Sequence, residues 1–440
     1  MASICIDGFN LAMPKGSGIA TYGRNLLDVA RASGLGTQVL YGPPAKHAAS
    51  NVLNEALLVD ARPIAPKATR RDKVKRFGET LLSQFGRSAY PITPSGEVIW
   101  PLGTPPAADL FWMSQDIFAR ANRCFQRYGS ATPVTFKAAA EALPPDVMHW
   151  TSLVPVYARG CPNIYTFHDL IPLRLPHTTL GDKSRYMALS LEMAARADHI
   201  VVVSETTRQD VVRLLGVDEG RVTNTYQAVD FPKELLARSQ DEVALELERV
   251  FNLGWKEYFL HFGAVEPKKN LGRIVEAYLS SGVTGPLVLV GGRSWLDEGE
   301  TALLAQVKRD GVPAAGRILQ YDYMSFPLLI SMIRGAKAVL FPSLYEGFGL
   351  PVLEAMALST AVLTSTGGAL SEVAGDAAVI VDPYDVQAIA KGIQALDGDD
   401  GLRAELELCG RGQAAKFNPQ AYRDRLLGAY SAIGVTPSGA

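Results

Sequence analysis

The sequence predicts an α/β fold of two Rossmann-like domains, and three observations carry that expectation. At 440 residues and 48% hydrophobic content the chain exceeds what one ordinary core fills. Short apolar runs alternate with amphipathic stretches in both halves, as buried parallel strands do when crossover helices join them. Several of these runs end in a glycine turn directly before a helix start, the arrangement of a nucleotide-binding βα unit.

Bulk properties narrow the function. A net charge of −2 gives no global attraction to nucleic acid, so none is expected as a partner. Cys5, Cys124, Cys161 and Cys409 are far apart and form no CxxC or Cys/His cluster, which fits a reducing cytoplasm. The opening MASICIDGFN lacks a basic segment followed by a long apolar core, and no run of 18 uncharged apolar residues occurs, so neither signal peptide nor spanning helix is expected.

In chain order, residues 3–9 read as a strand, Lys15-Gly16-Ser17-Gly18 as a flexible turn, and Ile19 to Arg31 as an amphipathic helix ending at Gly34. Residues 60–145 carry weaker patterns. Between Lys67 and Arg87 stand seven basic residues (Lys67, Arg70, Arg71, Lys73, Lys75, Arg76, Arg87) against Asp72 and Glu79, with Val74, Phe77, Leu81 and Leu82 at helical spacing. This basic amphipathic segment reads either as a solvated helix face or as a peripheral contact for an anionic membrane, each basic residue then contributing about 1 kcal/mol. Strands follow at Val147 to Trp150, Ile164 to Phe167 and Ile200 to Val203. His168-Asp169 ends the second, where an open sheet points side chains into the ligand crevice. Ser204-Glu205-Thr206-Thr207 reads as a helix N-cap. A first domain over 1–232 and a charged linker over 229–248 are expected.

The second domain, 249–415, opens with a strand at Tyr258 to Gly263 leading to Glu266-Pro267-Lys268-Lys269-Asn270, where an ammonium beside a strand end suits a phosphate. Strands at Leu287 to Val290, followed by Gly291-Gly292-Arg293, and near Ile318 to Gln320 continue it. The most informative stretch is AVLFPSLYEGFGLPVLEAMALSTAVLTSTGGALSEVAGD, from Ala338 onward. Its strand ends at Pro342, a loop carries Glu346-Gly347-Phe348-Gly349, and Pro351 marks the helix start. Free N–H groups at Gly349 and Leu350, with the positive end of the helix dipole behind them, suit a phosphate-bearing ligand. Glu346 and Glu354, eight residues apart, flank that position, and carboxylates beside a phosphate site call for neutral donors such as sugar hydroxyls. A further strand, Ala361 to Leu363, leads to Thr366-Gly367-Gly368, so that two helix starts are expected to converge on one diphosphate.

The pattern EGFGLPxLEAMA followed by a GG turn resembles the donor-site signature of retaining glycosyltransferases of family 4, which have the GT-B fold of two Rossmann-like domains facing across a cleft. The resemblance covers nearly all of the second domain and scattered points of the first. It implies transfer of a hexosyl group from a nucleotide-sugar donor to a glycan or lipid-linked acceptor, without cofactor or metal; a cytoplasmic location is expected, with the basic segment 67–87 the candidate contact with the inner face of the membrane. By the same resemblance Glu346 and His168 act on the transferred sugar, Glu354 on the ribose, and Gly16, Gly18, Lys268, Lys269, Phe348, Gly349, Leu350, Gly367 and Gly368 on the donor. EPKKN is similar to the family's EPRKN variant, and with Gly291-Gly292-Arg293-Ser294-Trp295 it looks most like mannosyltransferases of surface polysaccharide assembly, implying GDP-mannose. UDP- and dTDP-sugars, or a catalytically silent scaffold, are the alternatives. One departure stands out: many members carry arginine after the strand glycine, and this chain has Ala264, leaving Lys268 or Arg293 to supply that charge. The fold also implies that 416–440 returns a final helix to the first domain, with a disordered tail.

Overall fold

The computed structural model describes residues 2–12, 18–59, 78–100, 106–140, 142–292 and 297–436. Among these, the first sheet contains β1 (Ser3–Asp7), β2 (Gly36–Tyr41), β3 (Arg87–Ile92), β4 (Leu110–Met113), β5 (Thr132–Phe136), β6 (Val147–Trp150), β7 (Val156–Ala158), β8 (Asn163–Phe167), β9 (His199–Val202) and β10 (Val222–Asn224). They lie in the order β10-β9-β8-β6-β1-β2-β4-β3-β5-β7. The second sheet contains β11 (Phe259–Phe262), β12 (Leu287–Val290), β13 (Ile318–Tyr321), β14 (Ala338–Phe341), β15 (Ala361–Ser365) and β16 (Val379–Val381), ordered β13-β12-β11-β14-β15-β16.

Helices cover both faces of each sheet, which is why β8, β11 and β14 are apolar-rich runs buried along their whole length. In each sheet the order reverses beside the domain's first strand: β1 lies between β2 and β6, and β11 between β12 and β14. Connections leave to opposite sides at such a point and open a crevice at the carboxyl ends of the strands. Those two crevices face each other.

The stretch 60–145 resisted the sequence pattern for a physical reason. β3 runs antiparallel to β4, with Tyr90 opposite Met113, and carries Pro91 inside it. The stretch expected as a linker is largely helical: Ser239 and Glu242 form a reciprocal capping box that starts helix Gln240–Phe251. Its Val243 and Leu247 are buried, and Arg334 of the second domain donates to the carbonyls of Leu235 and Arg238 at 3.1 and 2.8 Å. The segment therefore packs as part of the second domain.

Helix Pro419–Ser431 crosses back onto the first sheet through buried polar contacts. Tyr430 Oη lies 2.9 Å from His149 Nδ1, His149 Nε2 lies 2.8 Å from Thr166 Oγ1, and Thr166 in turn meets Tyr22 Oη at 3.0 Å. Burial pushes the His149 imidazole down to about 3, so it stays neutral there. Among the described residues, no helix is long and apolar enough to cross a membrane.

Candidate functional site

A cavity of about 730 Å³ lies where the two crevices meet, lined from one side by Gly18, His168 and Asp169 and from the other by Gly263, Lys268, Lys269, Glu346 to Leu350 and Glu354. Its charged centre is Glu346, only 6% exposed. Lys269 Nζ donates to its Oε1 at 2.6 Å and Lys268 Nζ to its Oε2 at 3.4 Å. Burial alone would raise this carboxyl, but the ammonium groups of Lys268 and Lys269 outweigh it and hold it at about 2. The lysines get there by a short route. β11 ends at Phe262, one turn Pro267–Lys269 follows, and Leu344 N donates to the Lys268 carbonyl at 2.7 Å, pinning that turn to the loop after β14. Lys269 also stands 4.5 Å over the Phe341 ring.

Helix Leu350–Ala357 begins beside these charges, with Pro351 in its first turn and Val352, Leu353, Ala355 and Met356 buried beneath. Gly349 precedes it at φ 106°, a conformation that a side chain rarely adopts. Gly349 and Leu350 line the cavity at this helix start, and Phe348 packs between Phe417 and Tyr226. One turn on, Glu354 also lines the cavity; burial pushes its carboxyl up to about 7, with Lys269 partly opposing.

From the first domain, His168 projects beyond β8. Its Nε2 lies 2.8 Å from the Thr151 carbonyl, which can only accept, so that nitrogen carries the proton and Nδ1 keeps its lone pair. Tyr22 stands edge-on to the ring at 4.9 Å. Burial lowers the imidazole pKa and favours the neutral form. Asp169 braces the loop, accepting from Ile171 N at 3.0 Å.

Gly367 and Gly368 do not line the cavity, contrary to the expectation of two converging helix starts. The Gly367 N–H donates to Ser365 Oγ at 3.2 Å, and Gly368 bridges to Glu346 while Ala369 N donates to the Glu346 carbonyl at 2.9 Å. The GG turn is a pad that fixes the Glu346 backbone. Ala264 is exposed, and Lys268 brings the second cation to the cavity. Gly16, Arg293 and the basic residues Lys67 to Arg76 lie outside the described residues.

Sequence reasoning missed three contributors. Glu266 lines the cavity 3.9 Å from Lys268. The sequence pattern assigns Gly347 no role of its own, yet a Cβ there would lie 2.0 Å from the His168 carbonyl, so its missing side chain admits the other domain. Asp7, fully buried at the end of β1, accepts from Thr151 N at 2.5 Å and Thr151 Oγ1 at 2.9 Å, fixing the residue whose carbonyl orients His168. An acid closing an otherwise apolar strand was the available signal.

Residues 247–411 match the family described as "Glycosyl transferases group 1", and residues 112–231 match "Glycosyltransferase Family 4". The chain is 32% identical over 275 residues to O-antigen chain mannosyltransferase B of Escherichia coli, covering 61% of this chain and 70% of that protein. It is 25% identical to the serotype-specific mannosyltransferase WbdA of Escherichia coli over 80% of this chain, but spans only 44% of that longer protein. Sucrose-phosphate synthase from Thermosynechococcus elongatus superimposes with a TM-score of 0.68 at 17% identity, covering 98% of this chain and 99% of that one. Anabaena Alr3699/HepE, in complex with UDP and glucose, superimposes with a TM-score of 0.65 at 14% identity, over 98% of this chain and 100% of that one. Two matched domains, the shared two-sheet architecture and the mannosyltransferase relatives agree with the EGFG and GG elements, and the chain belongs to the family 4, group 1 glycosyltransferases of GT-B fold.

Proposed function

We propose that the protein transfers a mannosyl group from GDP-mannose to a hydroxyl of a glycan or lipid-linked acceptor in surface polysaccharide assembly, with retention at the anomeric carbon. The observation that carries this reading is the Lys268–Glu346–Lys269 cluster beside the start of helix Leu350–Ala357, inside an interdomain cavity that also holds His168. The bond from the anomeric carbon to the diphosphate oxygen breaks, a bond to the acceptor oxygen forms, and the acceptor proton passes to the departing diphosphate. Negative charge grows on that diphosphate. Lys268, Lys269 and the N–H groups at Gly349 and Leu350 face it from fixed positions, which is where preorganised positive charge accelerates transfer. On this reading the cations of the chain do what a metal does in other transferases, and no cofactor is needed.

The other groups hold hydroxyls. Glu346, charged at neutral pH, accepts from the transferred sugar. Glu354 takes the ribose, and the His168 Nδ1 lone pair accepts from a sugar or acceptor hydroxyl. A smaller cavity of about 80 Å³ shares Gly263 and is lined by Gly291, Gln320 and Asp322. We assign the base to it: the Asp322 carboxylate suits guanine, whose N1–H and N2–H present two adjacent donors, whereas uracil presents one. The relatives named for mannosyl transfer support mannose as the transferred sugar. For the acceptor side, Leu82 and Phe85, which follow Lys67 to Arg76 within the basic segment, are 60% and 73% exposed, which supports a peripheral contact with an anionic membrane at the cytoplasmic face.

A donor panel incubated with lipid-linked acceptors and read by mass spectrometry tests the reaction. Transfer of one hexose from GDP-mannose, with GDP raising the melting temperature, is expected. Stabilisation by UDP and none by GDP would reject the donor, and transfer from no donor would reject the activity.

A further inference from the structure

The face that joins the two domains carries a fastening that neither the cavity nor the fold requires. Helix Glu205–Leu215 of the first domain is capped by Ser204, whose Oγ accepts from Thr207 N at 3.0 Å. Its next two free donors are taken by the other domain. Glu205 N donates to Glu372 Oε1 at 2.7 Å, Thr206 N donates to Glu372 Oε2 at 3.1 Å, and Thr206 Oγ1 reaches the same oxygen at 3.1 Å. A carboxylate on the positive end of a helix, accepting three hydrogen bonds, is a strong contact for one side chain. A second bond lies further along the same helix: Tyr345 Oη donates to Asp210 Oδ2 at 2.5 Å, with Arg174 Nε 3.6 Å from that oxygen and stacked over the Tyr345 ring.

Both fastenings belong to the loops that build the donor side. Tyr345 directly precedes Glu346, and Glu372 follows the GG turn that holds the Glu346 backbone. Between them Gly347 presses against the His168 carbonyl, and Thr207 Oγ1 lies 3.3 Å from that carbonyl and 3.4 Å from the carbonyl of Gly347. We propose that Glu372 is a positioning residue which, seated on the start of helix Glu205–Leu215 and assisted by Tyr345, registers the Glu346 loop against His168 and sets the distance between the two halves of the reaction site. The assignment rests on reading the cavity as the donor site. It predicts that losing Glu372 spares nucleotide binding, which belongs to the second domain, and harms the transfer step, which needs both.

Glu372→Gln keeps the size but turns one acceptor into a donor facing an N–H. In the full chain, hydrogen exchange of the peptide spanning 203–210 should accelerate about tenfold in this variant, as the loss of hydrogen bonds to a charged group implies. The dissociation constant for GDP should stay within about twofold, while kcat falls about tenfold and KM for the donor moves less than threefold. Tyr345→Phe, which cuts the other bond and leaves Glu372 intact, should show the same split at smaller size. Unchanged exchange at 203–210 would overturn the proposal, as would wild-type kcat in the presence of faster exchange, or a kcat loss no larger than the unfolded fraction. Should the wild-type protein transfer no sugar, the functional reading falls, and exchange together with nucleotide titration still decides whether the contact forms.

Discussion

Replacing Glu346 by glutamine should weaken catalysis and tighten nucleotide binding at once. The carboxylate sits between two ammonium groups whose side chains are 19% and 13% exposed, so each lysine depends on it for charge compensation. Its pKa falls from 4.5 to about 2 despite burial, which at about 1.4 kcal/mol per unit is a net preference of about 3 kcal/mol for the charged form. The neutral isostere forfeits that attraction, and the empty protein should lose stability by about 3 kcal/mol, the lower end of what breaking a buried pair costs. A diphosphate supplies the missing negative charge. If it restores half of the loss, the nucleoside diphosphate binds about tenfold more tightly to the variant than to the wild type. Turnover should fall about 100-fold, because the transferred sugar loses the acceptor that orients it. Calorimetric titration with GDP and UDP, thermal unfolding with and without nucleotide, and transfer rates measure the three quantities. A variant that binds nucleotide more weakly while melting at the wild-type temperature would refute the argument, since Glu346 would then not be the internal counter-ion that the diphosphate displaces.

Three further outcomes follow from the same geometry. Glu354→Gln should stabilise the empty protein by about 3 kcal/mol at pH 8 and leave it unchanged at pH 4: the Glu354 pKa is raised from 4.5 to about 7, so its stabilising contribution is complete below 4.5 and lost as pH rises through about 7. Equal melting curves at pH 8 would contradict this. His149 runs the opposite way. Its pKa is lowered from 6.5 to about 3, so its contribution is present above 6.5 and lost as pH falls toward 3; Tyr430→Phe, which removes one bond to that ring, should cost about 1 kcal/mol at pH 7.5, measured by urea unfolding. Gly347→Ala places a methyl group where the His168 carbonyl stands, and should cut transfer at least tenfold while GDP affinity stays within about twofold; wild-type turnover would show that the two domains do not need this approach.

What could be read from the chain in advance divides along a physical line. Periodicity and glycine placement report local backbone geometry, so the strands of the second sheet, the helix start at Gly349 and the cluster of Lys268, Lys269, Glu346 and Glu354 around one cavity were within reach. The antiparallel pairing of β3 with β4 was not, because a short proline-bearing strand between β4 and β5 gives no sign of the direction in which it pairs. The helix Gln240–Phe251 hid behind its charge: Val243 and Leu247 are its buried residues and Phe251 packs partly against the core, so its charged positions dominate the pattern. The GG turn shows the deeper limit. Two glycines before a helix announce a close approach of something to the backbone, and only the folded chain tells whether that something is a phosphate, a neighbouring loop or another domain. At Gly349, which lines the cavity, it is the Leu370 side chain, at Gly368 the carbonyl of Glu346, and at Gly347 the carbonyl of His168. The same residue type therefore builds a ligand surface, a support beneath it and a seam between domains within about twenty positions, and the seam is what makes the ligand surface complete. A site split across two domains needs an element that reads both, which is why Gly347, Glu372 and Asp7, none of them assigned to the site from the sequence, fix the relation between His168 and the donor loops.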